Sequence, residues 1–336
     1  GLLTRLEIKA DMYSFIGRLS ARARLANVAD TTRPIGISGT LNTTDLDIGR
    51  IIRSDLIHQA TLRTGLSMEL ADDGIELKLD SLLVDRLNVN KYDFSGIAAA
   101  GELDSEHFNG KIICNDPNLN FLFQGSYVQS SKTNDAVYSL YANIGQADLQ
   151  AMNIDRRGKS KIRLQTNASF RQTAKGQIFG KVDIGNIVLE NSLGKHDISD
   201  VSISSNSVEE QYRIKFSSRF ADASYSGTAS IVQFGKDIVD LTLRRELPAI
   251  FKDSLSRWDG NSYNASINLH NSIGLLAFLA PGFYIAEDTH INASISSEGG
   301  FDVKMDSPRL AYREQYLKDV QMEIDNKEDV FSGSIL

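Results

Sequence analysis

Five histidines, one cysteine and a few paired carboxylates are the side chains of this sequence that could hold a metal, attack a carbonyl or move a proton. Their spacing points away from each of those chemistries. His58, His107, His196, His270 and His290 are scattered, and no two stand at the short separations that metal sites use. They read as isolated polar or edge-strand residues. Cys114 is the only cysteine, so an internal disulfide is ruled out. It sits beside Ile112 and Ile113 in an apolar strand pattern, and it would become a nucleophile only if the fold brought a base to it. The acidic pairs Asp72-Asp73, Glu209-Glu210 and Glu287-Asp288 fall at turn-like positions, where carboxylates cap and solvate. Asp45, Asp47 and Asp55 lack the glycine and closing glutamate of a calcium loop. There is no phosphate-binding glycine loop, GxSxG elbow, HExxH helix or cysteine pair. The expectation is a protein with no catalytic residue, metal or cofactor, and so not an enzyme.

Composition narrows the partners. With 36 basic and 43 acidic residues the formal charge is −7, which gives no general attraction to nucleic acid. The densest basic runs, Arg156-Arg157 with Lys159 and Lys161, and Arg244-Arg245, read as solvated turns. A hydrophobic share of 41% and a charged share of 24% describe a folded chain. The longest apolar run, Ile273 to Ala286, is interrupted by Pro281-Gly282 and is shorter than the about 20 residues a spanning helix needs. The opening GLLTRLEIK alternates like a strand, which suggests an internal piece of something longer, with Gly1 a cloning remnant.

The elements that must position any site are strands. Apolar and polar residues alternate with period two at Leu6, Ile8 and Ala10; at Leu62, Leu66 and Met68; and at Ile75, Leu77 and Leu79. The pattern returns at Ile162, Leu164, Ala168 and Phe170, at Tyr212, Ile214, Phe216 and Phe220, at Tyr263, Ala265, Ile267 and Leu269, and at Val320, Met322 and Ile324. Strands with one dry and one wet face belong to mainly antiparallel sheets. Between Tyr92 and Val128 the chain predicts strands over Asp93–Glu102, Phe108–Asn115 and Leu119–Val128. Helical periodicity is confined to short stretches: Thr44–Asp55, Ala147–Asp155, Pro248–Trp258 and Leu275–Leu279.

A loose internal repeat organises these elements. Tyr92-Asp93-Phe94-Ser95 is echoed at His196-Asp197-Ile198-Ser199 and at Tyr316-Leu317-Lys318-Asp319. Each unit begins with a strand leading to a short helix, over Gly36–Asp55, Val137–Asp155 and Val239–Trp258, and the second strand set of the middle unit runs over Ala223–Ile231. The expected division is residues 1–34 as strands continuing from an upstream repeat, then repeats over 35–135, 136–238 and 239–336, the last truncated.

A large sheet with one dry face can pack on a second sheet, close into a barrel or solenoid, or curl and leave the dry face as a lined groove. The scarcity of helices to cover it favours the groove. Four stretches, TDLDIGRII (Thr44–Ile52), NDPNLNFLFQG (Asn115–Gly125), ADLQAMNID (Ala147–Asp155) and the run from Leu275 to Tyr312, resemble the AsmA-like superfamily, and within it the TamB family of translocation and assembly module components in its Bacteroidetes form. The resemblance implies an elongated, curled, mostly antiparallel sheet, a β-taco of repeating β-groove units with a few short helices and an apolar interior. It also implies an inner-membrane anchor and a BamA-like, TamA-type outer-membrane barrel as partner, both engaged by regions outside this chain. The implied setting is the periplasm, and the implied role is passage of phospholipid between the two membranes. Help with outer-membrane protein assembly, as in autotransporter secretion, is the alternative; a β-helix carbohydrate-active enzyme or adhesin is a more distant one. The candidate groove-lining residues are Leu62, Leu66, Leu77, Phe121, Phe123, Ile162, Leu164, Phe170, Tyr212, Ile214, Phe216, Phe220, Ile267, Phe301 and Val303.

Overall fold

The structure, a computed structural model, describes residues 5–29, 32–71, 74–174, 177–198, 200–208, 211–241, 259–326 and 332–335. In chain order the elements are β1 (Arg5–Ser14), β2 (Gly17–Ala26), β3 (Ile35–Asp47), α1 (Ile48–Ile52), β4 (Ile57–Ala71), β5 (Gly74–Val89), β6 (Tyr92–Phe94), β7 (Ile97–Leu103), β8 (His107–Asp116), β9 (Leu119–Gln129), β10 (Ala136–Asp148) and β11 (Ser160–Gln172). They continue as β12 (Ile178–Asn191), β13 (Gly194–Ile198), β14 (Val201–Val208), β15 (Gln211–Ser218), β16 (Ala221–Gly227), α2 (Ile231–Val239), β17 (Tyr263–Leu269), α3 (Ile273–Leu279), β18 (Phe283–Ile285), β19 (Thr289–Ile295), β20 (Phe301–Tyr312), β21 (Gln315–Asp325) and β22 (Ser332–Ile335).

The protein is therefore mainly β, as the alternation predicts. Its 22 strands belong to one antiparallel sheet. The sheet is open: among the described residues β1 pairs only with β2, and β22 only with β21. Contacts divide the chain into two compact units. One holds Gly1–Ser169 with Glu190–Ser192, the other Phe170–Leu189 with Leu193–Leu336.

In the first unit the strands follow one another as a meander, each pairing with the next in sequence, save that β5 pairs with both β6 and β7. β5 and β6 are joined by Asn90-Lys91, both at positive φ, the backbone of the two-residue hairpin turn whose twist matches that of its strands. The chain then breaks at Ser95-Gly96, and β7 returns to pair with the earlier part of β5. Asp116 fastens this break. Its carboxylate accepts from the Ser95 amide at 2.9 Å, the Ser95 hydroxyl at 3.0 Å, the Asn118 amide at 2.9 Å and the Tyr92 hydroxyl. A comparable arrangement recurs in the second unit, where β12 precedes the short β13 and then pairs through Gly180–Ile184 with β14. At the third echo β21 runs on without interruption, and only Asp319, at a φ of 50°, marks the position.

Two helix expectations and two strand expectations change in the structure. Thr44–Asp47 is the end of β3, because Leu46 and Asp47 pair with Ala60 and Gln59; only Ile48–Ile52 is helical, capped by Asp47 accepting from the Arg50 amide at 3.2 Å. Ala147–Asp155 is no helix: Ala147 and Asp148 complete β10, and the following residues form turns closed by Met152 N–H to Asp148 O at 3.1 Å and Ile154 N–H to Leu149 O at 2.8 Å. The strand expected to start at Val239 is instead the end of α2, and Ile231, expected in a strand, begins it. Ser230 caps that helix by accepting from the Gln233 amide at 3.2 Å, and Phe234 and Ile238, one turn apart, face the sheet. Leu275–Leu279 lies within α3, and Pro248–Trp258 lies outside the described residues.

Candidate functional site

Most of the polar side chains that could do chemistry are engaged locally; His196 is different, its Nε2 being buried with no hydrogen-bond partner among the described residues. His107 bonds Asp104 at 3.1 Å, His270 bonds Asp222 at 3.0 Å across paired strands, and His290 bonds Asn268 at 2.7 Å. Cys114 is buried, its thiol points to the Ser95 carbonyl at 3.7 Å, and burial pushes its pKa up, the opposite of an activated nucleophile. The basic run after Asp155 meets carboxylates: Arg157 pairs with Asp155 at 2.7 Å, Lys159 with Glu190 at 2.5 Å and Lys161 with Asp148 at 3.0 Å. Among the described residues one group of potential metal ligands comes together, Asp302, Glu323 and Asp325, and Lys304 reaches Asp302 at 3.7 Å and Glu323 at 3.1 Å. Asp72-Asp73, Glu209-Glu210 and Arg244-Arg245 lie outside the described residues.

What the fold assembles is an apolar surface. Side chains of directly paired residues in an antiparallel sheet point to the same face, so the registers can be followed from strand to strand. In the first unit one row runs Met12, Leu19, Thr43, Leu62, Val84, Ile97, Cys114, Phe121, Ile144. The neighbouring row runs Ala10, Ala21, Leu41, Thr64, Leu82, Ala99, Ile112, Phe123, Ala142. Two further rows carry Ile8 to Leu140, through Leu66, and Leu6 to Tyr138, through Leu77. The opposite face carries ions, among them Arg24–Glu7 at 3.0 Å and Arg63–Asp85 at 3.5 Å.

Bulges keep these rows continuous. The pairings skip between Thr43 and Leu46, Leu79 and Leu82, and Ile144 and Gln146. Simple alternation fails at each of these places, and the extra residue returns the next apolar side chain to the same face. Leu62, Leu66, Leu77, Phe121 and Phe123 thus share one face of the first unit and are half-buried, neither sealed nor free. Ile162 and Leu164 in β11 are also half-buried; their neighbour Lys161 reaches across to Asp148. The rings of Phe121 and Phe123 lie 6.4 Å apart and nearly parallel.

Within this face three glycines stand side by side on one row: Gly101 pairs with Gly110, and Gly110 with Gly125. A Cβ on Gly110 would lie 2.7 Å from the Phe108 ring, and one on Gly125 would lie 2.8 Å from the Phe123 ring. The rings lean over the bare backbone. Beside them is a hollow of about 230 Å³ walled by Leu77, Leu79, Leu103, Phe108, Ile112 and Phe123. Sequence alternation located the phenylalanines but not the hollow, whose signal is glycine at matched strand positions.

In the second unit a row runs Val182, Ile203, Phe216, Ala223, Ile267, Ile291, Met305, Met322, Ile335. Phe216 and Phe220 are half-buried with ring centroids 5.7 Å apart, Ile267 is exposed, and Phe170 and Val303 are half-buried. One end of this face is covered. Tyr225, Leu241, Tyr263, Ile295 and Phe301 form a buried cluster, with Tyr212, Ile214, Phe234 and Ile238 packed against it. Phe301, expected to line a groove, is therefore core under α2, and Tyr212 and Ile214 border that core. Asp237 ties the helix to β17 by accepting from Tyr263 at 2.5 Å, and within α2 it accepts from Gln233 at 2.8 Å. Burial, and then this carboxylate, push the Tyr263 hydroxyl pKa far up; Tyr225 is raised by burial first and the same charge second.

No family model, curated protein or solved structure matches this chain.

Proposed function

We propose that this chain is a non-enzymatic periplasmic part of a TamB-type, AsmA-like protein, and that its apolar face carries phospholipid acyl chains on their way between the inner and outer membranes. The observation that supports this reading is the set of apolar rows kept in register through β1 to β10, in which most side chains stay half-exposed while Thr43, Val84 and Cys114 are buried. Acyl chains would lie along that face with headgroups toward water. Each methylene withdrawn from water contributes about 0.8 kcal/mol, so an apolar face can offset the removal of a lipid from a bilayer without covalent chemistry. A BamA-like outer-membrane barrel is the partner this reading implies, through parts outside this chain. Among the described residues no helix is long and apolar enough to cross a membrane.

The test is native mass spectrometry of the purified chain with lipid extraction, together with binding of a fluorescent phospholipid. Co-purifying phospholipid, lost in Phe121→Glu with the β circular-dichroism spectrum kept, is the expected result. Recovery of no lipid and no uptake of the fluorescent one would overturn it.

The alternative reading is a holding surface for unfolded outer-membrane protein segments, bound along the same apolar rows. Binding of a β-signal peptide that is abolished by Phe121→Glu, with no lipid recovered, would select this reading over the lipid one.

A further inference from the structure

We infer that one end of the second unit, formed by the α3–β18 loop and the β20–β21 turn, is a surface that docks on a bilayer containing anionic phospholipid. The two tips are one piece. The Arg313 amide donates to the Gly282 carbonyl at 2.7 Å, and Phe283 and Tyr312 are paired across β18 and β20 with their rings 4.7 Å apart. The apolar side chains here point into water: Phe283 is 53% exposed, Leu279 55%, Tyr316 54% and Leu317 57%. Each is large; by register Phe283 and Leu317 lie on one face of this end of the sheet and Tyr316 on the other. Apolar side chains are thus exposed on both faces of the tip, the kind of exposure that marks an interaction site.

The cations decide which partner fits. The Arg313 guanidinium lies 5.2 Å from the Tyr312 ring centre, and that of Arg309 lies 4.8 Å from Tyr316 and 5.7 Å from Tyr284. The Lys318 ammonium is 5.7 Å from Tyr316. Within residues 279–284 and 309–318 these three cations stand with one carboxylate, Glu314, and Glu287, Asp288, Asp306 and Asp319 flank the stretch. Aromatic rings with basic groups beside them, around exposed aliphatic side chains, match the layered chemistry of a membrane interface. The rings sit at headgroup depth, the aliphatics reach below, and the Arg and Lys ends meet lipid phosphates. A protein groove would accept the apolar residues but gives no account of three cations held against rings.

The inference goes beyond the proposed function, and its residues are distinct from the candidate lining residues, so either reading can fail alone. The experiment is flotation of the intact chain with vesicles of phosphatidylglycerol and phosphatidylcholine in equal parts, against phosphatidylcholine alone. Binding to the anionic vesicles is expected, weakened by added salt, reduced about tenfold or more in the triple variant Arg309→Glu, Arg313→Glu, Lys318→Glu. A second variant, Phe283→Ser with Leu317→Ser, keeps every charge and is expected to reduce binding about fivefold or more. Circular dichroism checks that both fold, and the exposure of all five positions makes unfolding of both at once a poor explanation. Absence of binding to anionic vesicles overturns the inference. So does binding unchanged by both variants. Concentration-dependent self-association of the parent chain that the serine variant abolishes, without vesicle binding, would assign the surface to a second copy of the protein and overturn it equally.

Discussion

Tyr263 is fully buried, and its hydroxyl donates to Asp237, a carboxylate on the inner side of α2 that is itself only 6% exposed. A buried carboxylate costs free energy unless donors satisfy it. Tyr263→Phe removes one donor and keeps the ring, and it is expected to destabilise the second unit by about 1–3 kcal/mol in urea unfolding. Asp116 is the corresponding residue of the first unit. Burial pushes its carboxyl up, but hydrogen bonds from Tyr92, Asn118 and Ser95 together hold it below the ordinary aspartate value. Asp155 is lowered too, first by the Arg157 side chain and then by its amide. A carboxylate whose folded pKa lies below its unfolded one contributes stability that is complete above the unfolded value, about 3.9, and disappears as pH falls through the folded value. Thermal melts are therefore expected to change little between neutral pH and about pH 5 on account of these groups, and to fall steeply below about pH 4. Asp116→Asn should lower the melting temperature at neutral pH and flatten that acid slope. These networks were not readable in the sequence, because Tyr92, Asp116, Asp237 and Tyr263 look like ordinary turn and strand residues until pairing brings them together.

At the scale of elements, alternation predicted strands well and their interruptions poorly. β8 and β9 fall where Phe108–Asn115 and Leu119–Val128 were expected. The bulges at Asp45, Asp80-Ser81 and Gly145 leave no mark in a period-two pattern except a change of phase, and their meaning depends on the partner strand. Helices depart for the same reason: Thr44–Asp47 has helical spacing, but β4 offers it a ladder, and the tertiary hydrogen bonds win over local propensity. The glycine row is the element-scale feature most open to test. Gly125→Ala places a methyl 2.8 Å from Phe123 and 3.1 Å from Leu140, so the ring must swing outward. The expected cost is about 1–2 kcal/mol. Phe123→Ala in the same chain should recover part of it, a coupling that a double-mutant cycle on chemical denaturation would read.

For the molecule as a whole, the two units use their apolar faces differently. In the first unit the rows from β1 to β10 stay mostly half-exposed, with Thr43, Val84 and Cys114 buried; in the second, α2 and its buried cluster seal one end. Phe216 and Phe301 separate these situations within one unit. Phe301→Glu puts a charge without a partner at a site 3% exposed, and the second unit is expected not to fold, seen as loss of its unfolding transition. Phe216→Glu, at a half-buried position, should fold, keep its β spectrum and lose lipid binding if that face carries acyl chains.

Period-two alternation by itself determined that the chain is mainly β and antiparallel, and that most apolar side chains share a face, because side-chain direction in a strand follows from position parity alone. The phenylalanines at 121 and 123 were placed on that face by the same rule. Which parts of it stay open was decided only by tertiary structure. Parity says which way a side chain points, not what lies opposite, and the cover supplied by α2, the bulges that realign the rows and the glycine hollow all depend on partners distant in sequence.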